Sequence, residues 1–341
     1  MSDIYIYDPT KIDALSKVRG VGRFLQILHE NLSDVATFTS DIKKVPSHSL
    51  FINPFFDFLK PPLFYKRIAH KQAAVIHDVI RLKYPEHFPR GLKGNIYTII
   101  NNLIFSTYDV IITDSEQSKK DIIEILNIPE EKIHVIYLTV PRLFHEGIHS
   151  RETDILTKLS IAKNNFCLYV GDITWNKNII NLAKALKQTN LKCVFAGKSF
   201  LDKTNLDHRE KDDFRTFLKI VENDDRFIFT GYISDEDLIT LYKNTRLNVL
   251  PSYDEGFGLS YLESAIYGTP SVLSDIPVFK EIAQDSAVFA HAEDPQDIAK
   301  KLEILFDDDA LHIEISEKAR KRAQFFSQEQ FRKQFIKISQ L

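Results

Sequence analysis

The sequence predicts an α/β protein with two doubly wound parallel sheets. Strand-like runs alternate with helix-like runs over nearly the whole length, which is typical of parallel sheets covered by helices. The 341 residues also exceed the usual size of a single domain. The alternation starts afresh after residues 139–165, a polar and weakly patterned stretch that we interpret as an interdomain linker.

The first half of the chain supplies the elements of one sheet. Its helices are predicted at Arg23–Leu32, at Gly94–Tyr108 and from Ser115 through Leu126, where Ser115 is a suitable N-cap. Its strands are predicted at 4–7, 49–53, 73–76, 109–113 and 134–138.

The second half repeats the pattern. A helix is predicted at Asn178–Lys187 because its apolar residues recur on one face. The final segment, about 312–341, is helical and charged, and we expect it to pack across both domains. The strands are predicted at 166–170, 193–197, 226–231, 247–252 and 271–275.

Composition excludes several classes of protein. The net charge of -3 argues against a dedicated nucleic-acid binder. Cys167 and Cys193 lie in short apolar runs, which favours reduced core cysteines, and no zinc-ligand spacing accompanies them. The start of the sequence has no signal-peptide pattern, and no apolar run approaches the roughly 18 residues of a membrane span. We therefore expect a cytoplasmic protein, or one that lies peripherally on the cytoplasmic face of a membrane.

The stretch 51–94 combines basic and aromatic residues. Residues 58–94 contain eight Lys and Arg against two acidic residues, a local net charge of +6. Such a stretch can contact anionic lipid headgroups. A partly buried loop and helix with an ordinary solvated face is the alternative interpretation. The aromatic residues are Phe51, Phe55, Phe56, Phe58, Phe64 and Tyr65.

Residues that directly follow strands are the candidates for ligand binding, because open α/β sheets bind ligands beyond the carboxyl ends of their strands. The strongest such motif is residues 254–263, between a predicted strand and a helix that ends at Gly268-Thr269-Pro270. Gly256 and Gly258 allow a ligand to approach the backbone, and the helix N-terminus favours an anion. Glu255 and Glu263 are suitable acceptors for sugar and ribose hydroxyls. A capped helix with solvated acids is the alternative.

Two further motifs fit a bound phosphate. Lys177 is predicted at a helix start, where a cation is unfavourable unless it faces an anion such as a diphosphate. Gly20, Gly22 and Arg23 precede a helix, but the glycine pattern is incomplete for a dinucleotide fingerprint. A solvent-facing lysine and a helix-starting turn are the respective alternatives.

His77 and Asp78 directly follow a predicted strand. A histidine at this position can orient a sugar, and Asp78 can either fix its tautomer or cap the next turn. A purely structural pair is the alternative.

The chain resembles glycosyltransferase family 4, the retaining GT-B enzymes, over nearly its full length. The most specific match is EGFGLSYLE at 255–263, with the two glutamates of the family. Other matching pieces are VRGVGR, VIHD, DVIITDSEQSKKDII, YVGDITWNKNI and FTGYISDEDLITLY.

The resemblance implies a GT-B fold, with two Rossmann-like domains facing a central cleft and a C-terminal helix crossing between them. It implies an acceptor-binding domain at 1–150, a donor-binding domain at 151–325 and a returning helix at 326–341. The activity implied is retaining transfer of a hexose from a nucleoside diphosphate to a sugar or lipid-linked glycan, without cofactor or metal. A mannosyltransferase of bacterial surface polysaccharide or glycolipid synthesis is the best single guess.

The resemblance also implies roles for individual residues. Glu255 would contact the donor hexose and His77 would lie near the reacting sugar, while Gly20, Gly22 and Arg23 would form the phosphate and acceptor loop. Asn176 and Asp172 stand where many members carry a second diphosphate-binding arginine. Either fewer cations would hold the diphosphate, or Arg19 or Arg23 would be the substitute. The donor would be bound by Lys177, Asn178, Gly256, Phe257, Gly258, Leu259 and Glu263.

Two other functions share the implied fold. A nucleotide-sugar epimerase would use the donor without an acceptor. A non-catalytic partner subunit would be expected to have lost a glutamate, Lys177 or the glycines, and all of these are present.

Overall fold

The computed structural model of the protein describes residues 3–11, 20–147, 154–202, 204, 206 and 211–338. They form two compact units, the first from Met1–Arg142 with Phe326–Leu341 and the second from Leu143–Phe325. Each unit contains a parallel sheet with surrounding helices, so the prediction of two Rossmann-like α/β domains is confirmed. Arg19 lies outside the described residues.

The elements alternate along the chain as the sequence predicts. The strands are β1 Ile4–Tyr7, β2 Ala36–Thr39, β3 Leu50–Asn53, β4 Lys71–Val75, β5 Val110–Thr113, β6 Ile133–Val135, β7 Cys167–Val170, β8 Cys193–Ala196, β9 Phe227–Gly231, β10 Leu247–Leu250, β11 Ser271–Ser274 and β12 Val288–Ala290. The helices are α1 Gly20–Leu32, α2 Ile80–Lys83, α3 Gly91–Phe105, α4 Glu116–Leu126, α5 Arg142–Glu146, α6 Ile155–Lys158, α7 Ile179–Lys187, α8 Asp212–Val221, α9 Asp235–Asn244, α10 Leu259–Ile266, α11 Pro277–Ala283, α12 Pro295–Asp307, α13 Asp309–Ala323 and α14 Gln328–Ile338.

The first unit is built on a sheet that, among its described residues, has six parallel strands in the order β2-β1-β3-β4-β5-β6. Strands β4 and β5 are neighbours, with Val75 paired to Ile112. Because both strands run in the same direction, the residues that follow them emerge at the same edge. This brings together the loops that begin at Ile76 and Asp114.

The second unit contains, in its described part, a six-stranded parallel sheet in the order β12-β11-β10-β7-β8-β9. Strands β7 and β10 are neighbours in the middle of this sheet, with Leu247 paired to Cys167. The segments that follow them, 171–178 and 251–258, therefore lie side by side at the carboxyl edge. Ligands of open α/β sheets bind at this edge.

The core of the second unit explains the apolar runs that flank both cysteines. Cys167 and Cys193 are fully buried free thiols on the neighbouring strands β7 and β8, as the sequence predicts. Burial raises the pKa of both thiols, which keeps them protonated and unreactive. Phe195 packs beside them against the rings of Phe200, Phe217 and other aromatic residues.

The predicted helix boundaries are confirmed where capping residues set them. The hydroxyl of Ser115 accepts a hydrogen bond from the Ser118 amide at the start of α4. At the end of α10, Gly268 has φ +70° and the Thr269 amide donates to the Ser264 carbonyl. This bond belongs to a Schellman motif, which requires a left-handed residue and therefore favours glycine.

Helix α14 belongs to the first unit. The Arg332 guanidinium on this helix forms a bidentate ion pair with Asp34, at 2.6 and 2.7 Å, and it also donates to the Asn31 carbonyl at the end of α1. The chain therefore leaves the first unit near Arg142 and returns to it at Phe326. Among all described helices, none combines the length and apolar content of a membrane span.

Candidate functional site

Lys177 ends a 3-10 turn, Trp175–Lys177, that follows β7 in the second unit. Its ammonium group lies 2.7 and 2.9 Å from the two carboxylate oxygens of Glu255. Lys177 therefore precedes the helix predicted at Asn178–Lys187 and does not lie in its first turn. Asn178 has φ 54°, so this left-handed residue separates the 3-10 turn from α7, which begins at Ile179.

Asn178 joins three loops at the carboxyl edge of the second sheet. Its side-chain amide donates to the carbonyl of Pro251, at 2.8 Å, and to that of Ala292, at 2.6 Å. These carbonyls follow β10 and β12, and the Asn178 side chain is buried. The Asn178 side-chain amide is therefore bonded to the protein's own backbone, and it holds the residue next to Lys177 in place.

Glu255 is held by the loop that follows β10. The Ser252 hydroxyl donates to one of its carboxylate oxygens at 2.7 Å, and the Glu255 side chain is only 9% exposed. The side-chain amide of Asn176 donates to the Asp254 carbonyl at 3.1 Å. Asn176 is buried and anchors the Glu255 loop through this bond.

The glycine motif after β10 requires glycine for steric reasons. Gly258 has φ +92° and caps α10. A Cβ atom at this position would lie 2.6 Å from a ring carbon of Phe279, which is fully buried. Gly256 and Phe257 are also buried, and Leu259 begins the helix. Helix α10 thus begins directly after the loop that carries Glu255, and a helix N-terminus suits an anion.

Glu263 lies in the second turn of α10 and is almost fully buried. One of its carboxylate oxygens accepts a hydrogen bond from the Tyr242 hydroxyl of α9, at 3.0 Å. Burial and the negative charge of Glu263 also raise the pKa of Tyr267. The two glutamates thus accept hydrogen bonds from different side chains, Glu255 from a lysine and Glu263 from a tyrosine. No sequence pattern indicates a role for Tyr242, which lies within α9.

His77 follows β4 in the first unit, and its partner is a residue that sequence reasoning missed. Its Nδ1 lies 2.7 Å from a carboxylate oxygen of Asp114, which directly follows β5. Asp78 instead accepts the Ile80 amide at 3.0 Å, so of the two roles left open for it the structure shows the cap. The position of Asp114 after a strand, next to the strand of His77, was the available signal.

The environment of His77 favours its charged form. Burial lowers the pKa of His77, but the charge of Asp114 and its hydrogen bond raise it, with further contributions from Asp78 and the Pro54 carbonyl. The net effect raises the pKa of His77 above its ordinary value. The imidazole also packs edge-on against Phe24 of α1, with the ring centroids 4.6 Å apart. His77 is therefore a positioned group that can carry a positive charge.

Gly20, Gly22 and Arg23 lie in the first turn of α1, so the prediction of a glycine loop at these residues is wrong. The helix begins at Gly20 and not at Arg23, because neither glycine interrupts it. Arg23 donates to the Gln26 side chain at 3.2 Å, one turn further along the helix. The first-turn N–H groups still have no acceptors within the helix, so this end retains the capacity to bind an anion. Phe24 connects it to His77.

The His77–Asp114 pair controls the protonation of the His77 imidazole. Asp114→Asn is expected to lower the pKa of His77, because the substitution removes the carboxylate charge that raises it. In the native protein, the stability from this pair is fully present below the unfolded histidine pKa of about 6.5, and it is lost as the pH rises through the raised folded value. NMR titration of the His77 ring protons measures the change. Glu124→Gln, at an exposed carboxylate on α4, is the control. An unchanged pKa in Asp114→Asn would contradict the assignment.

The two units, each with a parallel sheet and surrounding helices, have the GT-B fold. The sequence profile described as "Glycosyl transferases group 1" matches residues 151–322. The chain belongs to this family.

Curated relatives include mannosyltransferases. The chain is 26% identical over 241 residues to O-antigen chain mannosyltransferase B of Escherichia coli, covering 70% of this chain and 61% of that protein. It is 27% identical over 247 residues to O-antigen chain mannosyltransferase RfbU of Salmonella typhimurium, covering 70% of this chain and 63% of that protein. The matches therefore span only about three fifths of the length of these relatives.

Solved structures share the fold at low sequence identity. HepE of Anabaena, solved in complex with UDP and glucose, superimposes with a TM-score of 0.73 at 16% identity and covers 100% of both chains. Sucrose-phosphate synthase of Thermosynechococcus elongatus gives a TM-score of 0.66 at 17% identity, covering 85% of this chain and 72% of that chain. Both likenesses bear on the fold alone.

Proposed function

We propose that this glycosyltransferase is a retaining enzyme of family 4. It transfers a hexose from a nucleoside diphosphate to a sugar or lipid-linked glycan in bacterial surface polysaccharide synthesis, with mannose as the best single sugar. The observation that carries the proposal is the contact between Lys177 and Glu255 at the carboxyl edge of the second sheet. The naming of relatives as O-antigen mannosyltransferases supports the choice of sugar and pathway class.

The Lys177–Glu255 pair suits the two halves of a sugar diphosphate. A diphosphate supplies anionic oxygens for the Lys177 ammonium, and the hexose supplies hydroxyl donors for the Glu255 carboxylate. When the sugar nucleotide binds, Lys177 therefore exchanges a carboxylate for a phosphate, and Glu255 exchanges an ammonium donor for hydroxyl donors. The α10 N–H groups and Lys177 then stabilise the negative charge that develops on the leaving diphosphate.

Glu263 is assigned to the nucleotide ribose. A buried carboxylate supported by the Tyr242 hydroxyl is an acceptor whose geometry is fixed before the ligand arrives. The hydroxyl groups of a ribose diol are donors of the matching kind. This assignment gives Glu263 a role in donor affinity, whereas Glu255 acts on the sugar that is transferred.

Retention is assigned to attack on the same face from which the diphosphate departs. The bond between the anomeric carbon and the phosphate oxygen breaks, the acceptor oxygen bonds to that carbon, and the departing phosphate takes the acceptor proton. Neither a protein nucleophile nor a metal is needed for this step. In the first unit, His77 is assigned to orient the reacting sugar, and the α1 first turn to bind phosphate or acceptor, with Arg23 contributing charge.

The partners follow from the same proposal. A lipid-linked acceptor is presented at a membrane, so the protein would work at the cytoplasmic face of the inner membrane and contact it peripherally. The name of a Campylobacter jejuni relative, 23% identical, describes transfer to a diphospho-undecaprenol acceptor, which supports this class of acceptor.

A thermal-shift screen of UDP- and GDP-linked hexoses tests the donor site. We expect at least one donor to raise the Tm of the native protein, because a ligand that binds only the folded state stabilises it. Glu263→Ala is expected to abolish this increase, since the ribose would lose its carboxylate acceptor. Glu303→Ala, at an exposed position on α12, is the matched control and should respond like the native protein.

Two results would contradict the proposal. One is an equal response of Glu263→Ala and the native protein, or no response to any donor. The other is formation of an epimer from the sugar nucleotide alone, because a transferase of this kind requires an acceptor.

A further inference from the structure

The aromatic residues of the stretch 51–94 do not form a surface. Phe51, Phe58 and Phe64 are buried, and they pack in the core of the first unit with Tyr108. Among the aromatic residues predicted for that surface, Tyr65 is the strongly exposed one, at 74%. For the phenylalanines, the interpretation as a partly buried loop is therefore the correct one.

The exposed apolar surface lies on the neighbouring helix α3. Leu92, Ile96, Ile99 and Leu103 are between 52% and 84% exposed. Their spacing of four, three and four residues places them in one line along a single face of the helix. Single exposed apolar residues are ordinary on protein surfaces, but a continuous line of four large aliphatic side chains marks an interaction site.

The opposite side of α3 is the one that packs against the protein. Gly94, Asn101 and Ile104 are its buried residues. The Asn101 side-chain amide donates to the carbonyls of Phe58 and Lys60, at 3.1 and 2.8 Å, which fixes α3 against the loop before β4. The line of aliphatic residues consequently points away from the first unit's core.

The charges around α3 indicate what covers this face. Residues 87–108 contain no Asp or Glu, whereas Arg90 and Lys93 belong to this segment. The loop to which Asn101 is bonded contributes the exposed Lys60, which pairs with Asp57 at 3.5 Å, and leads to the exposed Lys66. A basic rim around an apolar face is complementary to anionic lipid headgroups above an acyl layer. A second copy of the chain would instead bring like charges together.

We propose that the outward face of α3 docks on an anionic membrane surface. Leu92, Ile96, Ile99 and Leu103 enter the boundary between headgroups and acyl chains, and Lys93 with the neighbouring basic residues contacts the headgroups. The inference deepens the proposed function, since a lipid-linked acceptor resides in such a membrane. The docking face itself is inferred only from the exposed aliphatic side chains and the basic residues of the first unit.

Sedimentation with phosphatidylglycerol-containing vesicles tests the proposal. Ile99→Glu and the double variant Ile96→Ser/Ile99→Ser are expected to lower the vesicle partition coefficient by about tenfold or more, because they remove apolar area from the buried face. Ile313→Glu is the matched control, since Ile313 is 59% exposed on α13 of the second unit, close to the 63% of Ile99. This control should bind vesicles like the native protein. Binding should also weaken as salt is added.

Three outcomes would overturn the proposal: no binding of the native protein to these vesicles, unchanged binding of Ile99→Glu, or a native dimer in solution that Ile99→Glu converts to a monomer. The donor thermal shift is measured on the same proteins. A shift that persists while vesicle binding is absent refutes the docking face and the peripheral membrane contact, and leaves the proposed donor site and transfer reaction intact. Vesicle binding without any donor shift supports the docking face and contradicts the proposed donor site.

Discussion

Lys177→Met is expected to lower the rate of sugar transfer by about 10²–10³-fold, the usual effect of removing one group that stabilises charge in a transition state. The lysine is the cation assigned to the diphosphate, and it lies within 2.9 Å of both Glu255 oxygens. Lys184→Met is the matched control, because Lys184 is an exposed residue on the adjoining helix α7. Initial rates of transfer with a saturating donor measure the effect.

The same substitution is also expected to affect the Tm, because Lys177 is paired with Glu255. Lys177→Met leaves the Glu255 carboxylate in a site where it is only 9% exposed. Adding Glu255→Gln removes that uncompensated charge, so the double variant should have a higher Tm than Lys177→Met alone. Additive losses of Tm would contradict the coupling, and native transfer rates in Lys177→Met would remove the lysine from the reaction.

Gly258→Ala is expected to destabilise the protein by about 2–5 kcal/mol. This value is the sum of the cost of a left-handed backbone at alanine and the cost of overpacking by the new Cβ atom. The new Cβ would lie 2.6 Å from a ring carbon of Phe279, and the φ of +92° is unfavourable for alanine. Because Phe279 is fully buried on α11, its ring has little freedom to move aside. Urea unfolding, followed by fluorescence and circular dichroism, measures the loss.

Gly91→Ala is the control for the backbone contribution. Gly91 has φ +61°, and a Cβ atom there would meet nothing within 4 Å. Its cost is therefore expected to be about 1–2 kcal/mol, the backbone contribution alone. Equal destabilisation by the two substitutions would show that contact with Phe279 is unimportant. A stable Gly258→Ala with weakened donor binding would place the effect in the ligand site instead.

Local sequence patterns determined the order of elements and most of their ends. The alternation of apolar strands with amphipathic helices predicted both sheets, and Ser115 and Gly268 set helix ends through hydrogen bonds to nearby residues. The start of α1 was misplaced because glycine at 20 and 22 indicates a turn in isolation. Their position in the first helical turn of α1 is a feature of the fold that spacing alone does not predict.

The sequence predicted which site residues lie at the ends of strands, and it did not predict which side chains contact one another. His77 and Lys177 follow strands, so their location at sheet edges was available from the pattern. Their partners, Asp114 and Glu255, lie 37 and 78 residues away along the chain. The order of strands in the sheet decides which loops become neighbours, and a list of strands does not specify that order.

The sequence by itself determined the α/β class, the strand-edge positions of the charged residues and the basic character of the stretch 51–94, because these depend on residue type and short spacing. The tertiary structure alone decided that Lys177 pairs with Glu255, that Tyr242 supports Glu263, and that α3 turns its aliphatic line outwards. Helix α3 is apolar around most of its circumference, so periodicity gives it no inner side. Only the packing of Asn101 against the preceding loop fixes which face is buried and which is left for a partner.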